Sequence, residues 1–180
     1  TEYQTGGTLD SNPSFLQPQQ IVEEATVNFL LELRDHLSDF AGAFNAHADA
    51  GTKFQEVKIY GIAQTAADFM LFRNQIKLTV SNAAHGVVQI SISQHQTPAV
   101  SVNGVAGAQG SDIYELTAQI GPFREVLWTY KGEKITSEQV ARYFFAEFVR
   151  LTRDRARSLH SNQALLEQIK SLLHGKGLDL

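Results

Sequence analysis

Apolar residues return at steps of three and four near the start of the chain, at steps of two through its middle, and at helical spacing again towards its end. In the first stretch Val22, Ala25, Phe29, Leu33, Leu37, Phe40 and Phe44 form one stripe, because residues three and four apart stack on one side of an α-helix. Pro18 takes the first helical position, where its missing N–H is not needed, and Leu16 and Ile21 staple the first turn. Glu23, Glu24, Glu32, Asp35 and Asp39 fall mostly off the stripe. The spacing predicts a long acidic amphipathic helix from residue 18 to about residue 48, ending between Ala48 and Gly51.

Between Lys53 and Lys134 the period becomes two and β-branched and aromatic residues multiply, which is strand behaviour. Ile76, Leu78 and Val80 alternate with Gln75, Lys77 and Thr79, and Val88, Ile90 and Ile92 alternate with Gln89, Ser91 and Ser93. The intervening Asn82-Ala83-Ala84-His85-Gly86 suits a hairpin. Val57 to Ile62 reads as an earlier strand, while Tyr114 to Ile120 and Val126 to Tyr130 read as later ones, broken at Gly121-Pro122 and turned at Lys131-Gly132. Pro98 to Ser111, with Gly104, Gly107 and Gly110, reads as a long loop.

Ile135-Thr136-Ser137-Glu138-Gln139-Val140 announces the second helix: Thr136 and Gln139 make a capping box, and Ile135 and Val140 a staple. Val140, Phe144, Phe148 and Leu151 follow on one stripe, widened by Tyr143, Phe145 and Val149. Ser161 either caps a further segment carrying Leu165, Leu166, Ile169, Leu172 and Leu173, closed by His174-Gly175, or the helix runs on from Arg157. The expected class is α+β, an antiparallel β-meander sheet of about five strands flanked by a long N-terminal helix and a long C-terminal helix. Residues 1–17, polar with little to bury, read as a mobile arm, and residues 18–180 as a single domain. Its expected core is Phe29, Leu33, Leu37, Ile76, Leu78, Val88, Ile90, Leu116, Trp128, Phe144 and Phe148.

Composition narrows the chemistry. The 180 residues include no cysteine, which removes thiolate zinc sites, iron–sulfur clusters, cysteine nucleophiles and disulfide scaffolds. A chain of this size builds a sufficient core without them. No run approaches the roughly 18 apolar residues of a membrane span, the longest being Phe69-Met70-Leu71-Phe72 and Tyr143 to Ala146. The chain starts at Thr1, which reads as a trimmed or processed start, and the cytoplasm is the expected compartment unless a leader has been removed.

The sequence contains no nucleophile elbow, no H-E-x-x-H, no phosphate loop with its lysine and no dinucleotide-binding glycine pattern, so neither a catalytic residue nor a cofactor is assigned. The glycines at 104, 107 and 110 lack the lysine and helix of a phosphate cradle. Glu32, His36 and Asp39 share one side of the first helix, but a metal site needs further ligands from another element, and a solvated acidic face is favoured.

Formal charge is −4 overall, yet it is unevenly placed. The first helix, from 18 to 49, carries Glu23, Glu24, Glu32, Asp35, Asp39 and Asp49 against Arg34, whereas between residues 142 and 157 Arg142, Arg150, Arg153, Arg155 and Arg157 outnumber Glu147 and Asp154. On a helix Arg150, Arg153 and Arg157 share a face. Pairing of these arginines with Glu32, Asp35 and Asp39, within a chain or across a dimer, is expected ahead of nucleic-acid binding, which lacks a second basic cluster or a stacking motif. The leading expectation is therefore a non-catalytic interaction or assembly module, a homodimer or holder of a protein partner through its long amphipathic helices. The alternative is a small-molecule or lipid-binding module with a cavity lined by Trp128, Tyr130, Phe144 and Phe148 between a curved sheet and the C-terminal helix.

Overall fold

Two long helices enclose a seven-strand meander in the chain order, and in space both helices lie on the same face of it. The computed structural model describes residues 18–47, 56–94 and 111–175. The expected arm at 1–17, the end of the first helix at 48–51 and the glycine-bearing loop up to residue 110 lie outside the described residues.

Helix α1 spans Pro18–His47. The strands follow as β1 (Lys58–Gly61), β2 (Phe69–Arg73), β3 (Ile76–Ala84), β4 (Val87–Gln94), β5 (Asp112–Ile120), β6 (Val126–Tyr130) and β7 (Glu133–Ile135), and helix α2 spans Ser137–Gly175. Every neighbouring pair is antiparallel. The α+β class and the antiparallel meander are as expected, but the sheet has seven strands rather than about five. The additional strands are β2 and β7. The first is the run Phe69-Met70-Leu71-Phe72, apolar on both faces and so without clean alternation, with Met70 half-buried and Phe72 37% exposed on the outer side. The second is three residues long and hangs on the turn after Tyr130.

Turn chemistry sets the register at both places. Asn74 and Gln75, and again Lys131 and Gly132, have positive φ at the two central positions of a two-residue turn, the geometry whose twist matches the flanking strands. Arg73 thereby pairs with Ile76, and Tyr130 with Glu133. Ile59, Leu71, Leu78 and Ile92 then stand side by side on the inner face, as do Phe69, Val80, Ile90 and Tyr114. The opposite face carries Lys77, Thr79, Gln89, Ser91 and Ser93, half-buried or polar.

All eleven expected core residues are buried, joined by Leu30, Phe69, Leu71 and Val80 among others. Glu32 meets Ser137 and Phe40 meets Phe145, two contacts with the same sequence offset, so α1 and α2 run parallel. The single helix alternative is the one realised at the C-terminal end: α2 continues without a break for 39 residues, because no proline or glycine interrupts 137–174.

Candidate functional site

The capping box positions α2. Gln139 N donates to Thr136 Oγ1 (3.2 Å) and Thr136 N donates to Gln139 Oε1 (3.0 Å). With that start, Val140, Phe144, Phe148 and Thr152 turn inward and Tyr143 stays 60% exposed.

A first groove of about 290 Å³ opens where α2 leaves the sheet, lined by Leu116, Tyr130, Ile135, Gln139, Val140, Tyr143 and Phe144. Its walls are aromatic: the Phe144 ring lies edge-on to Tyr114 at 4.9 Å and to Tyr143 at 5.1 Å. Burial, with Asp112 adding to it, pushes the Tyr114 phenol above its usual range, so the hydroxyl stays protonated near neutral pH. Of the four aromatic residues picked out for a ligand cavity, Tyr130 and Phe144 line this groove. Trp128, stacked on Phe29, and fully buried Phe148 belong to the core.

A second groove, about 450 Å³, lies further along α2 against the end of α1. Phe44, Phe145, Ala146 and Val149 make its apolar wall, and Arg150, Arg153, Asp154 and Arg157 its polar side. Phe145 is wedged between Phe40 and Phe44 of α1, with ring centroids 5.9 and 6.1 Å away. Behind Phe44 sits Arg73, whose guanidinium lies 4.8 Å from the ring centroid and donates to Thr152 Oγ1 at 2.6 Å. Burial, and then the neighbouring charge of Arg153, lower the Arg73 pKa.

Arg150, Arg153 and Arg157 all line this one concavity. Glu32, Asp35 and Asp39 are exposed on α1, with Glu32 Oε2 accepting from Ser137 Oγ at 3.0 Å. That contact is at the start of α2, about 20 Å along the helix from Arg150 at ~1.5 Å per residue. None of the ion pairs among the described residues joins α1 to α2. Arg150 bonds Glu147 through Nε (3.0 Å) and reaches Asp154 at 3.5 Å, and Arg142 bonds Glu138 at 2.7 Å. The Arg150 hydrogen bond holds the Glu147 carboxyl below the usual carboxylate range, against a weaker opposing effect of burial. Among the described residues no three His, Asp or Glu side chains come together as a metal-holding group, the strip Glu32, His36 and Asp39 included, and no helix is long and apolar enough to cross a membrane.

Two contributors escape a reading of the chain alone. Arg73 was legible only as the third inward position of Phe69, Leu71 and Arg73, once that run is taken as a strand. Asn45 clamps the end of α1 to the residue that leads into β1, its Nδ2 donating to Val57 O (3.0 Å) and its Oδ1 accepting from Val57 N (2.9 Å); nothing in the local sequence marks it. No protein-family model, no curated protein and no solved structure matches this chain.

Proposed function

We propose that this chain is a non-catalytic assembly module that pairs with a second copy of itself through the projecting part of α2. The observation that carries this reading is the length of α2 relative to what it packs on. Thr152 is the last described residue of α2 that is fully buried, and from 163 to 168 every position is exposed, Leu165 and Leu166 at 57% each. From Thr152 to Gly175 the helix advances about 35 Å at ~1.5 Å per residue. A helix draws most of its stability from the burial of an apolar face, and the sequence stripe Leu165, Leu166, Ile169, Leu172 and Leu173 repeats like a face made for a partner helix. Pairing of equivalent stripes about a two-fold axis covers both at once.

Light scattering and native mass spectrometry test it. The wild-type chain is expected to be a dimer, and Leu165→Glu with Leu166→Glu to be a monomer whose core unfolds as before. A wild-type monomer, or a dimer indifferent to both substitutions, overturns the reading.

The first groove supports a second reading, a module for a small apolar ligand, because its lining is apolar and aromatic with few polar groups, Gln139 and the two tyrosines Tyr130 and Tyr143, as in most small-ligand sites. Release of a bound small molecule on denaturing the purified protein is its test.

A further inference from the structure

We propose that the second groove binds an amphiphilic organic anion, its charged head on Arg153 and Arg157 and its apolar body on Phe44, Phe145 and Val149. The proposal rests on different residues from the assembly reading and stands or falls separately.

Two opposed chemistries share this one concavity. Its wall is apolar and built by both helices, Phe44 from α1 and Phe145, Ala146 and Val149 from α2, while along the next two turns of α2 the lining is Arg150, Arg153 and Arg157 against the single carboxylate of Asp154. The arginines are not equivalent. Arg150 is engaged by Glu147 and Asp154. Arg153 and Arg157 are exposed, and among the described residues no carboxylate pairs with either. Behind the Phe44 ring lies the buried Arg73 guanidinium, 4.8 Å from the ring centroid. The groove therefore keeps a positive potential beside an apolar wall. An inorganic anion alone leaves that wall wet, and a neutral apolar molecule alone makes no use of the cations; one molecule carrying both parts engages both. Guanidinium groups suit carboxylate, sulfonate and phosphate heads alike, through paired N–H donors. About 450 Å³ accommodates one molecule of that kind, within the usual range for small-ligand sites.

Anilinonaphthalene sulfonate and the uncharged phenylnaphthylamine are matched fluorescent probes, alike in rings and different in charge. The sulfonate is expected to bind one per chain, more tightly than the neutral dye and more weakly as salt is raised. Arg153→Gln with Arg157→Gln, both on the surface, is expected to weaken the sulfonate by roughly tenfold, the worth of a charge-assisted hydrogen bond, and to leave the neutral dye unchanged. Ala146→Phe, which fills the groove, is expected to exclude both. Absence of sulfonate binding, equal binding of the two dyes, or an affinity indifferent to the arginine substitutions overturns the proposal. So does sulfonate still bound to Ala146→Phe, which places the dye in the first groove. A change of oligomeric state accompanying the lost affinity overturns it too, because the arginines then serve a contact between chains.

Discussion

The rings of Phe29 and Trp128 stack with centroids 4.5 Å apart and planes 22° from parallel. Phe29 belongs to the middle of α1 and Trp128 to β6, beside Ala118 and Ile135, so this one contact fastens the first helix to the late strands. Truncation of Phe29 to alanine is expected to destabilise the fold by about 3–5 kcal/mol. Trp128 is the chain's only tryptophan, and its emission reports the change directly: a red shift accompanies the loss if water reaches the indole. Unchanged emission with a loss under about 1 kcal/mol would show that the stack is not part of the core.

Phe148 and Tyr143 give a matched contrast on α2. Phe148 is fully buried and Tyr143 is 60% exposed. Phe148→Ala is expected to cost about 3–5 kcal/mol in denaturant unfolding, and Tyr143→Ala less than about 1 kcal/mol. Comparable losses at both positions would mean that the first groove is closed over Tyr143 in solution.

The cap at Thr136 works through two reciprocal hydrogen bonds. Thr136→Ala is expected to cost about 1 kcal/mol. Gln139→Ala combined with it should add little, since each bond depends on the same turn, and a double-mutant cycle in thermal unfolding measures that coupling.

Glu147 sets a pH dependence. Its folded-state pKa lies below the ordinary carboxylate value because Arg150 bonds the ionised form. The unfolded chain therefore takes up this proton first as pH falls. The stabilising effect is complete above the ordinary carboxylate pKa and is lost as pH drops through the lower folded value. Glu147→Gln is expected to flatten that acid limb slightly, and NMR titration of the Glu147 carboxyl should place its midpoint below that of a free glutamate. A midpoint at or above the free value contradicts the pairing.

Arg150, Arg153 and Arg157 replaced together by glutamine are expected to leave the unfolding midpoint nearly unchanged, because the described ion pairs of Arg150 are exposed and lie within one helix. Pairing with acidic α1 inside one chain requires the opposite, a loss at low salt that shrinks as salt is added. Unfolding at two ionic strengths separates the two cases.

The helices were legible because each carries its own start signal and period: Pro18 opens one, Thr136 and Gln139 the other, and the stripes hold their phase for many turns. Strands β3 and β4 were legible for the same reason, their polar and apolar positions alternating cleanly. β2 was not, because Met70 and Phe72 are apolar although they point to the outer face, so alternation is lost there. β7 is too short to show any period. The site was half visible. Aromatic residues and arginines stand out in the chain, but that Phe44 and Phe145 share a wall with Arg153 depends on the parallel offset of two distant helices. Which aromatics end at a rim and which in the core is likewise decided by packing: Phe144 and Phe148 occupy one helical stripe, yet only Phe144 reaches the first groove.

The parallel pairing of α1 and α2 also dictates how the fold is reached. Glu32 and Ser137 meet across 105 positions of chain, and the whole meander is threaded between them. Contacts of such separation carry a large loop-closure entropy before they return any stability, and folding dominated by them is slow. As the chain grows, Phe40 and Phe44 are made long before Phe145, so α1 can gain its sheet contacts first and its helix partner only last. A chain stopped before Ser137 should accordingly expose that part of α1 to aggregation.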